Sequence, residues 1–496
     1  MVILQLLLAG GLAAPAAAAE EGDAERGEYV ATLADCGSCH TGDHGTYAGG
    51  EALATPFGDI YPPNITPHPE AGIGEWSQTD FATALRDGVR PDGLPIYPAM
   101  PYQHYAKMTD EDLRDLWAHL RSVDASGRET PANELAFPFN VRSSLHAWQA
   151  LYLNGGTLEP DADRSDQWNR GRYLVEVLGH CGSCHTPRNA LFAALPDQSL
   201  EGAKIPGQPW YAPNIGGGAE SVIADWSVRD LEVYLAGDAR PGESGEAIAG
   251  PMRQVIHNSL SEAKQEDLAA MAVYLKGQPG EDGEDEVPSE PTVEAVVTEQ
   301  NSSLYERHCR SCHGEDGRGE PGVAADLRRS STVEAREAWS AVSVVTMGVD
   351  ASENYPRMPG FADALNDAEI AAVTDHVRAR WAGRKVPPAS PKMSAAARAA
   401  MEDGPVEIVC PRVADELMSS DMRDRIAELD PDEPDPERLD ALVAEWREEH
   451  PDRNVGDMVT AFSAGWCRAA DLSGIDATRR ARGWVVFAAA VADAAR

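Results

Sequence analysis

Cys36-Gly-Ser-Cys-His40 decides the reading of this chain, because it returns as Cys181-Gly-Ser-Cys-His185 and again as Cys309-Arg-Ser-Cys-His313. Working outward from the first two copies, the likeness continues. Arg26-Gly27-x-Tyr29 matches Arg170-Gly171-x-Tyr173, and Pro63-Asn64-Ile65 matches Pro213-Asn214-Ile215. Trp76-Ser77 matches Trp226-Ser227, and Asp80-Phe81 matches Asp230-Leu231, all at offsets of 144 to 150 residues. Such regular self-similarity signifies tandem structural units. The third unit is shorter and more diverged but keeps Tyr305 ahead of its cysteines.

Each unit closes on a helical signal. Thr109 to Asp112 has the form of a capping box ahead of Leu113, Leu116 and Leu120. Ser261 is expected to start the second closing helix, with Leu268, Ala272 and Leu275 on one face; Asn366 to Glu369 starts the third, with Ile370, Val373 and Val377. Strand alternation is scarce, so the fold class expected is all-α. The chain divides into a signal peptide (1–19), unit 1 (20–132), a packed bridge (133–160) and unit 2 (161–277). An acidic linker (278–296), unit 3 (297–386) and a C-terminal helical domain of unassigned role (387–496) follow.

Cys-x-x-Cys-His is the attachment signature of c-type haem. Two thiols on one turn of chain add to the two haem vinyl groups, and the His that follows supplies an imidazole to iron. The predicted covalent positions are Cys36, Cys39, Cys181, Cys184, Cys309 and Cys312, with His40, His185 and His313 as axial ligands, for three haem c groups. Tetrahedral zinc is the competing chemistry, but it needs ligand sets to pair, and three sets separated by 145 and 128 residues do not pair naturally.

For the opposite face of iron, unit 1 offers Tyr97-Pro98-Ala99-Met100-Pro101 and unit 3 offers Tyr355-Pro356-Arg357-Met358-Pro359. Unit 2 offers Gly250-Pro251-Met252. A lone Met more often fills a core. The shared Pro frame and the position ahead of the closing helix select Met100, Met252 and Met358 as sixth ligands, which would saturate the iron and raise its potential. Met108 and Met271 fall at or inside the closing helices and read as core, and Met347 lacks the frame. His44, His68, His104, His119 and His257 have no paired spacing and read as surface or structural. Asn64 and Asn214 either bond near a haem propionate or fix their loops. Trp76 and Trp226 are expected to pack against haem or core.

The net charge of −39 sets the chain against nucleic acid and anionic lipid as general partners; it reads as a solubilising surface suited to a saline habitat, and would also suit a basic docking face on another protein. The apolar start, ending in Ala17-Ala18-Ala19, reads as a secretory signal. No later stretch approaches a membrane-spanning length, so no transmembrane helix is expected in the mature protein. In the tail, Leu439, Leu442, Val443 and Trp446 read as one amphipathic helix and Trp484 to Ala492 as another. The latter reads as a helical core in preference to an interfacial membrane contact. Cys410 and Cys467 are the two cysteines outside the motifs, and a disulfide between them is expected in an oxidising compartment.

Further residues carry a family likeness: Gly49-Gly50, Thr55-Pro-Phe-Gly58, Pro63-Asn-Ile-Thr-Pro67, Gly72-Ile-Gly74 with Trp76, Tyr97-Pro-Ala-Met-Pro-Tyr102, Cys181-Gly-Ser-Cys-His-Thr-Pro-Arg-Asn189 and Ala270-Met-Ala-x-Tyr-Leu275. With these, residues 24 to 384 resemble the three-haem cytochrome c subunit of membrane-associated bacterial dehydrogenases of the alcohol, gluconate, sorbitol and aldehyde type. The tail departs from that pattern. The resemblance implies three tandem class I cytochrome c domains. It also implies electron transfer from a separate quinoprotein, flavin or molybdenum dehydrogenase subunit to ubiquinone or a terminal oxidase, in the periplasm and beside the inner membrane. By itself the chain is expected not to be an enzyme, and no catalytic residue is assigned. The alternative is a haem enzyme, of peroxidase or sulfur-compound oxidase type, with one labile iron ligand; a Met candidate in every unit weighs against it.

Overall fold

The helices start where their side chains satisfy the first free N–H groups. Asp23 accepts from the backbones of Glu25 and Arg26 to open the helix Ala24–Leu33. The repeated Trp-Ser-x-x-Asp is also a helix start: Ser77 with Asp80, and Ser227 with Asp230, form reciprocal capping boxes for Gln78–Arg86 and Val228–Leu235. Asn366 with Glu369 does the same for Asp367–Trp381. The computed structural model describes residues 22–218, 220–237, 248–277, 294–319, 323–350, 357–402, 418–429 and 435–451, with scattered positions from there to 494. The predicted signal peptide, Cys410 and Cys467 lie outside the described residues, as do most of the acidic linker and most of Trp484 to Ala492.

In each unit an opening helix crosses a closing helix. Ala24–Leu33 crosses Asp110–Ser122, Asp166–Tyr173 crosses Gln265–Lys276, and Glu299–His308 crosses Asp367–Trp381. The Gly of the repeated Arg-Gly-x-Tyr explains how close the first two crossings are. A Cβ on Gly27 would fall 1.9 Å from the carbonyl oxygen of Asp115, and one on Gly171 would fall 1.9 Å from that of Ala270. Only glycine lets the two backbones touch there. Unit 3 has no glycine in its opening helix.

Units 1 and 2 share a single hydrophobic core, running from Val30, Leu33, Leu116 and Met108 through Leu174, Leu178, Met271 and Leu275. They meet about an internal pseudo-twofold axis. Tyr29 of unit 1 donates to Asp267 of unit 2 at 2.8 Å, and Tyr173 of unit 2 donates to Asp112 of unit 1 at 2.5 Å. The same hydroxyls accept the N–H groups of Lys264 (2.9 Å) and Thr109 (3.2 Å), the N-cap residues of the two closing helices. Each residue and its counterpart trade places, as in an isologous dimer interface.

This exchange corrects two expectations. The second closing helix starts at Gln265, with Lys264 as its N-cap, rather than at Ser261. The Ser261 hydroxyl donates back to the carbonyl of His257, and the cap is supplied by Tyr29 from the other unit. At the first closing helix Thr109 accepts from Asp112 N–H, but the returning half of the box is absent, because the Asp112 carboxylate accepts from Tyr173 instead.

Unit 3 has its own core around Leu304, Tyr305, Val342, Ile370, Val373 and Trp381. Arg378 is fully buried there and donates to the carbonyls of Val333 (3.4 Å) and Pro387 (2.8 Å). It is seated on unit 2 by two serines of Trp339–Met347. Ser340 exchanges both backbone bonds with Tyr211, at 3.0 and 2.8 Å, and Ser343 donates to the Pro209 carbonyl. Arg384 pairs with Glu220 at 2.7 Å beside them. In the tail, the expected amphipathic helix forms as Pro436–Glu449, with Leu439, Leu442, Val443 and Trp446 buried. They belong to a third cluster that also takes in Val323 and Ala324 of unit 3, with Cys312 packed against it.

The chain is mostly helical, with short antiparallel ladders. Leu53–Thr55, Gly58–Ile60 and Glu134–Leu135 form one three-stranded sheet; Ala203–Lys204 pairs with Tyr211–Ala212, and Gly348–Val349 with Met358–Pro359. Strands of two or three residues leave no alternation to read. The bridge is held by polar groups. Buried Gln149 donates to the Gly88 carbonyl at 2.9 Å and Trp148 to the Leu191 carbonyl at 2.9 Å, while Phe137 (80%) and Leu151 (69%) are exposed. Among the described residues no helix is long and apolar enough to cross a membrane.

Candidate haem sites

Each Cys-x-x-Cys-His motif forms one short helical turn after its opening helix, over Cys36–His40, Gly182–His185 and Arg310–His313, with a π-helical turn at Leu174–Leu178 intervening in unit 2. One turn places both sulfurs on the same side and the His just beyond them. Burial, with the Asp35 charge nearby, pushes the Cys36 thiol up to about 12 and that of Cys39 to about 11; burial also carries Cys181 and Cys309 to about 12. Such thiols stay protonated at neutral pH.

The histidines carry the sharpest test of fit to haem. His40 Nδ1 lies 2.7 Å from the Pro63 carbonyl, His185 Nδ1 2.7 Å from the Pro213 carbonyl, and His313 Nδ1 3.1 Å from the Ala325 carbonyl. A carbonyl only accepts, so Nδ1 carries the proton in all three, and Nε2 presents its lone pair outward. This arrangement fixes the tautomer and orientation of a metal-ligating imidazole. Burial lowers the pKa of each of the three rings, which keeps them neutral and able to ligate. The residues present therefore fit haem c. They also explain the repeated Pro-Asn-Ile, whose meaning the sequence did not disclose: its proline carbonyl anchors His40 in unit 1 and His185 in unit 2.

The asparagines of that repeat bond to neighbouring loop groups. Buried Asn64 donates to the Ser126 (2.8 Å) and Arg128 (3.0 Å) carbonyls and accepts from Thr66 through backbone and side chain. Asn214 accepts from Gly216 N–H at 2.9 Å. Trp76 and Trp226 pack against the shared core.

The methionines sort by environment. Met108 and Met271 are buried in the shared core at 0% and 2% exposure, as expected of packing residues. Met100 and Met252 are half-buried against the edge of that core, and Met358 lies against the unit 3 core, in the short strand paired with Gly348–Val349. Tyr355 and Pro356 lie outside the described residues.

Sequence reasoning missed one cluster. His104, expected to be surface or structural, is structural: its Nδ1 donates to the Glu176 carbonyl at 2.7 Å. It faces His180, a residue with no motif of its own, with ring centroids 6.4 Å apart. Burial draws both imidazoles down to about 4, so both are neutral.

Helices crossing over a Cys-x-x-Cys-His turn, with a carbonyl-locked His beyond it, define a cytochrome c. Comparison with known proteins agrees. The cytochrome c family profile matches residues 24–124, and that of cytochrome C oxidase, cbb3-type, subunit III matches residues 298–377. The chain is 38% identical to the fructose dehydrogenase cytochrome subunit of Gluconobacter japonicus over 73% of its own length and 80% of that protein. It is 34% identical to the cytochrome c subunit of the quinone alcohol dehydrogenase of Gluconobacter oxydans, over 74% of this chain and 80% of the relative. A diheme cytochrome c-type protein of Cereibacter sphaeroides is 38% identical over 52% of this chain and 86% of its own. The chain belongs to the family of cytochrome c subunits of dehydrogenase complexes. It transfers electrons and is not itself the catalyst.

Proposed function

We propose that this chain carries three haem c groups and passes electrons from a separate periplasmic dehydrogenase subunit to ubiquinone or a terminal oxidase at the inner membrane. The observation that carries this reading is the threefold Nδ1-to-carbonyl lock, which leaves a neutral, oriented Nε2 beside two thiols in every unit. In it, Cys36 and Cys39, Cys181 and Cys184, and Cys309 and Cys312 form the thioethers. His40, His185 and His313 ligate one face of iron, and Met100, Met252 and Met358 the other.

When bound, the haem supplies a one-electron couple. The protein supplies the rest. The proline and alanine carbonyls hold each imidazole against rotation, the half-buried methionines offer a thioether that favours the reduced state, and the apolar cores exclude water. The acidic surface of the chain suits a basic docking face on the dehydrogenase. Three tandem cytochrome c domains, the six division points given above and the Cys410–Cys467 disulfide belong to the same reading.

The test is haem counting on the purified full chain with carbon monoxide added to the reduced protein. Three covalent haems and a spectrum unmoved by carbon monoxide are expected. Fewer than three haems, or a large carbon monoxide change at one of them, overturns the reading in favour of a haem enzyme with an open iron site. Replacing Met100, Met252 or Met358 with Ala is expected to open one site each.

A further inference from the structure

The pseudo-twofold that joins units 1 and 2 passes directly between their haem-attachment turns. His104 comes four residues after Met100, yet it contacts the other unit's motif. Its Cε1 sits 3.1 Å from the position a Cβ on Gly182 would take, so the ring lies against the turn between Cys181 and Cys184. On the other side of the axis, Asn258 comes six residues after Met252, and its Nδ2 donates to Ser38 Oγ at 2.8 Å, between Cys36 and Cys39. Each methionine segment thus braces the partner unit's Cys-x-x-Cys-His turn.

The residues entering the two turns are matched as well. Asp35 (φ 50°) and His180 (φ 37°) each adopt the left-handed backbone just before the first cysteine, a conformation non-glycine residues hold only where the surroundings enforce it. Tyr105 supplies that enforcement. Its hydroxyl donates to the Ala34 carbonyl at 2.7 Å, and its ring meets His180 edge-on at 5.7 Å and 79°. The contacts that seat unit 3 on unit 2 run through Tyr211, Pro209, Glu220 and Arg253, which donates to the Asp350 carbonyl at 3.2 Å, and none of these involves the Cys309–His313 turn.

We propose that His104 and His180, with Asn258 across the axis, are positioning residues that hold the first two haem-attachment turns face to face, so that the haems of units 1 and 2 form one coupled pair that exchanges electrons directly while the haem of unit 3 titrates apart. The inference rests on the three-haem reading above. The step balances as a single electron leaving a ferrous iron in one unit and reducing the ferric iron of the other, with no proton moved and no bond broken. Reducing either member of such a pair lowers the electron affinity of the other by the same factor, about tenfold for unit charges on neighbouring groups in a partly buried interior.

The experiment is an equilibrium redox titration of the full chain followed by visible and electron paramagnetic resonance spectra. In the parent protein two haems are expected to titrate anti-cooperatively, with mutual broadening of their resonance signals, and the third independently. His104→Leu is expected to bring the coupling factor towards one while leaving the third haem unchanged. His104→Asn, which keeps a donor at the Nδ1 position, retains it. Asn258→Leu weakens the coupling from the opposite side and decides the matter if His104→Leu fails to mature. Three independent titrations in the parent overturn the pairing, and unchanged coupling in Asn258→Leu and in any His104→Leu protein that matures overturns the positioning roles. Fewer than three covalent haems in the parent instead marks failure of the three-haem reading.

Discussion

Units 1 and 2 are fused, and unit 3 is attached. The first two share one core, cross glycine to backbone within each unit, and exchange tyrosines between units. The third keeps its own core, has a serine-bearing opening helix, and turns its Tyr305 hydroxyl to its own Gly314 carbonyl at 2.7 Å. The same attachment chemistry is therefore mounted in two ways. A rigid pair suits fast exchange between fixed partners, and a separately folded unit docked by a few polar contacts suits a terminal position in the chain of carriers.

The sharpest break in this contrast is steric. Gly171→Ala places a methyl onto the Ala270 carbonyl and is expected to cost about 3 kcal/mol, as overpacking does. Thermal melting monitored at the haem bands is expected to show the paired units loosening ahead of unit 3. The next effect is electrostatic. Burial alone would raise the Asp267 carboxyl, but bonds from Arg170 and Tyr29 and the Arg170 charge hold it below its usual range. A carboxyl depressed by folding stabilises above its unfolded value, and that contribution is lost as pH falls through the folded one. Asp267→Asn is expected to cost about 2 kcal/mol at neutral pH and to abolish this share of the acid sensitivity, checked by denaturant melts from neutral pH downward.

Tyr29→Phe and Tyr173→Phe each remove one hydroxyl that bonds a carboxylate and an N-cap amide. A cost of about 1.5 kcal/mol is expected for each, and the double variant is expected to show whether the two halves of the axis act together. The smallest effect sharpens the contrast by its sign. Glu334, at the seat of unit 3, is raised from 4.5 to about 7, chiefly by burial, with Asp225 of unit 2 adding to the rise against the opposing pull of Arg384. Folding there favours the protonated form, so the seat is firmest in acid and weakens as pH rises from about 4.5 towards 7. Glu334→Gln is expected to flatten that slope by less than about 1 kcal/mol, measured as the pH dependence of the unit 3 melt. Acid thus loosens the Asp267 clamp and tightens the Glu334 seat.

The units themselves were legible from local pattern. Motif spacing, the capped helix at Asn366, and the core packing of Met108 and Met271 all follow from neighbours within a few residues. What was not legible lies far apart in sequence. Tyr29 and Asp267 are separated by 238 residues, so no periodicity announces that one unit's tyrosine caps the other's helix, and Ser261 took the role on local grounds. The Gly of Arg-Gly-x-Tyr was visible, but its purpose needs the partner helix. Pro63 and Pro213 stood out only as members of a repeat, because a carbonyl's use as a histidine anchor leaves no mark in residue type. His180 had no signal at all, since its place depends on Tyr105 and His104 from the preceding unit.

The tail reaches back into this architecture through Val323 and Ala324, which lie in the same apolar cluster as Trp446 and Phe462, with Cys312 at its border. Packing beside the third Cys-x-x-Cys-His turn is therefore partly made of chain that comes more than a hundred residues later. During synthesis that turn is made long before its neighbours exist. The surroundings of Cys312 are therefore complete only once the tail has folded onto Val323 and Ala324.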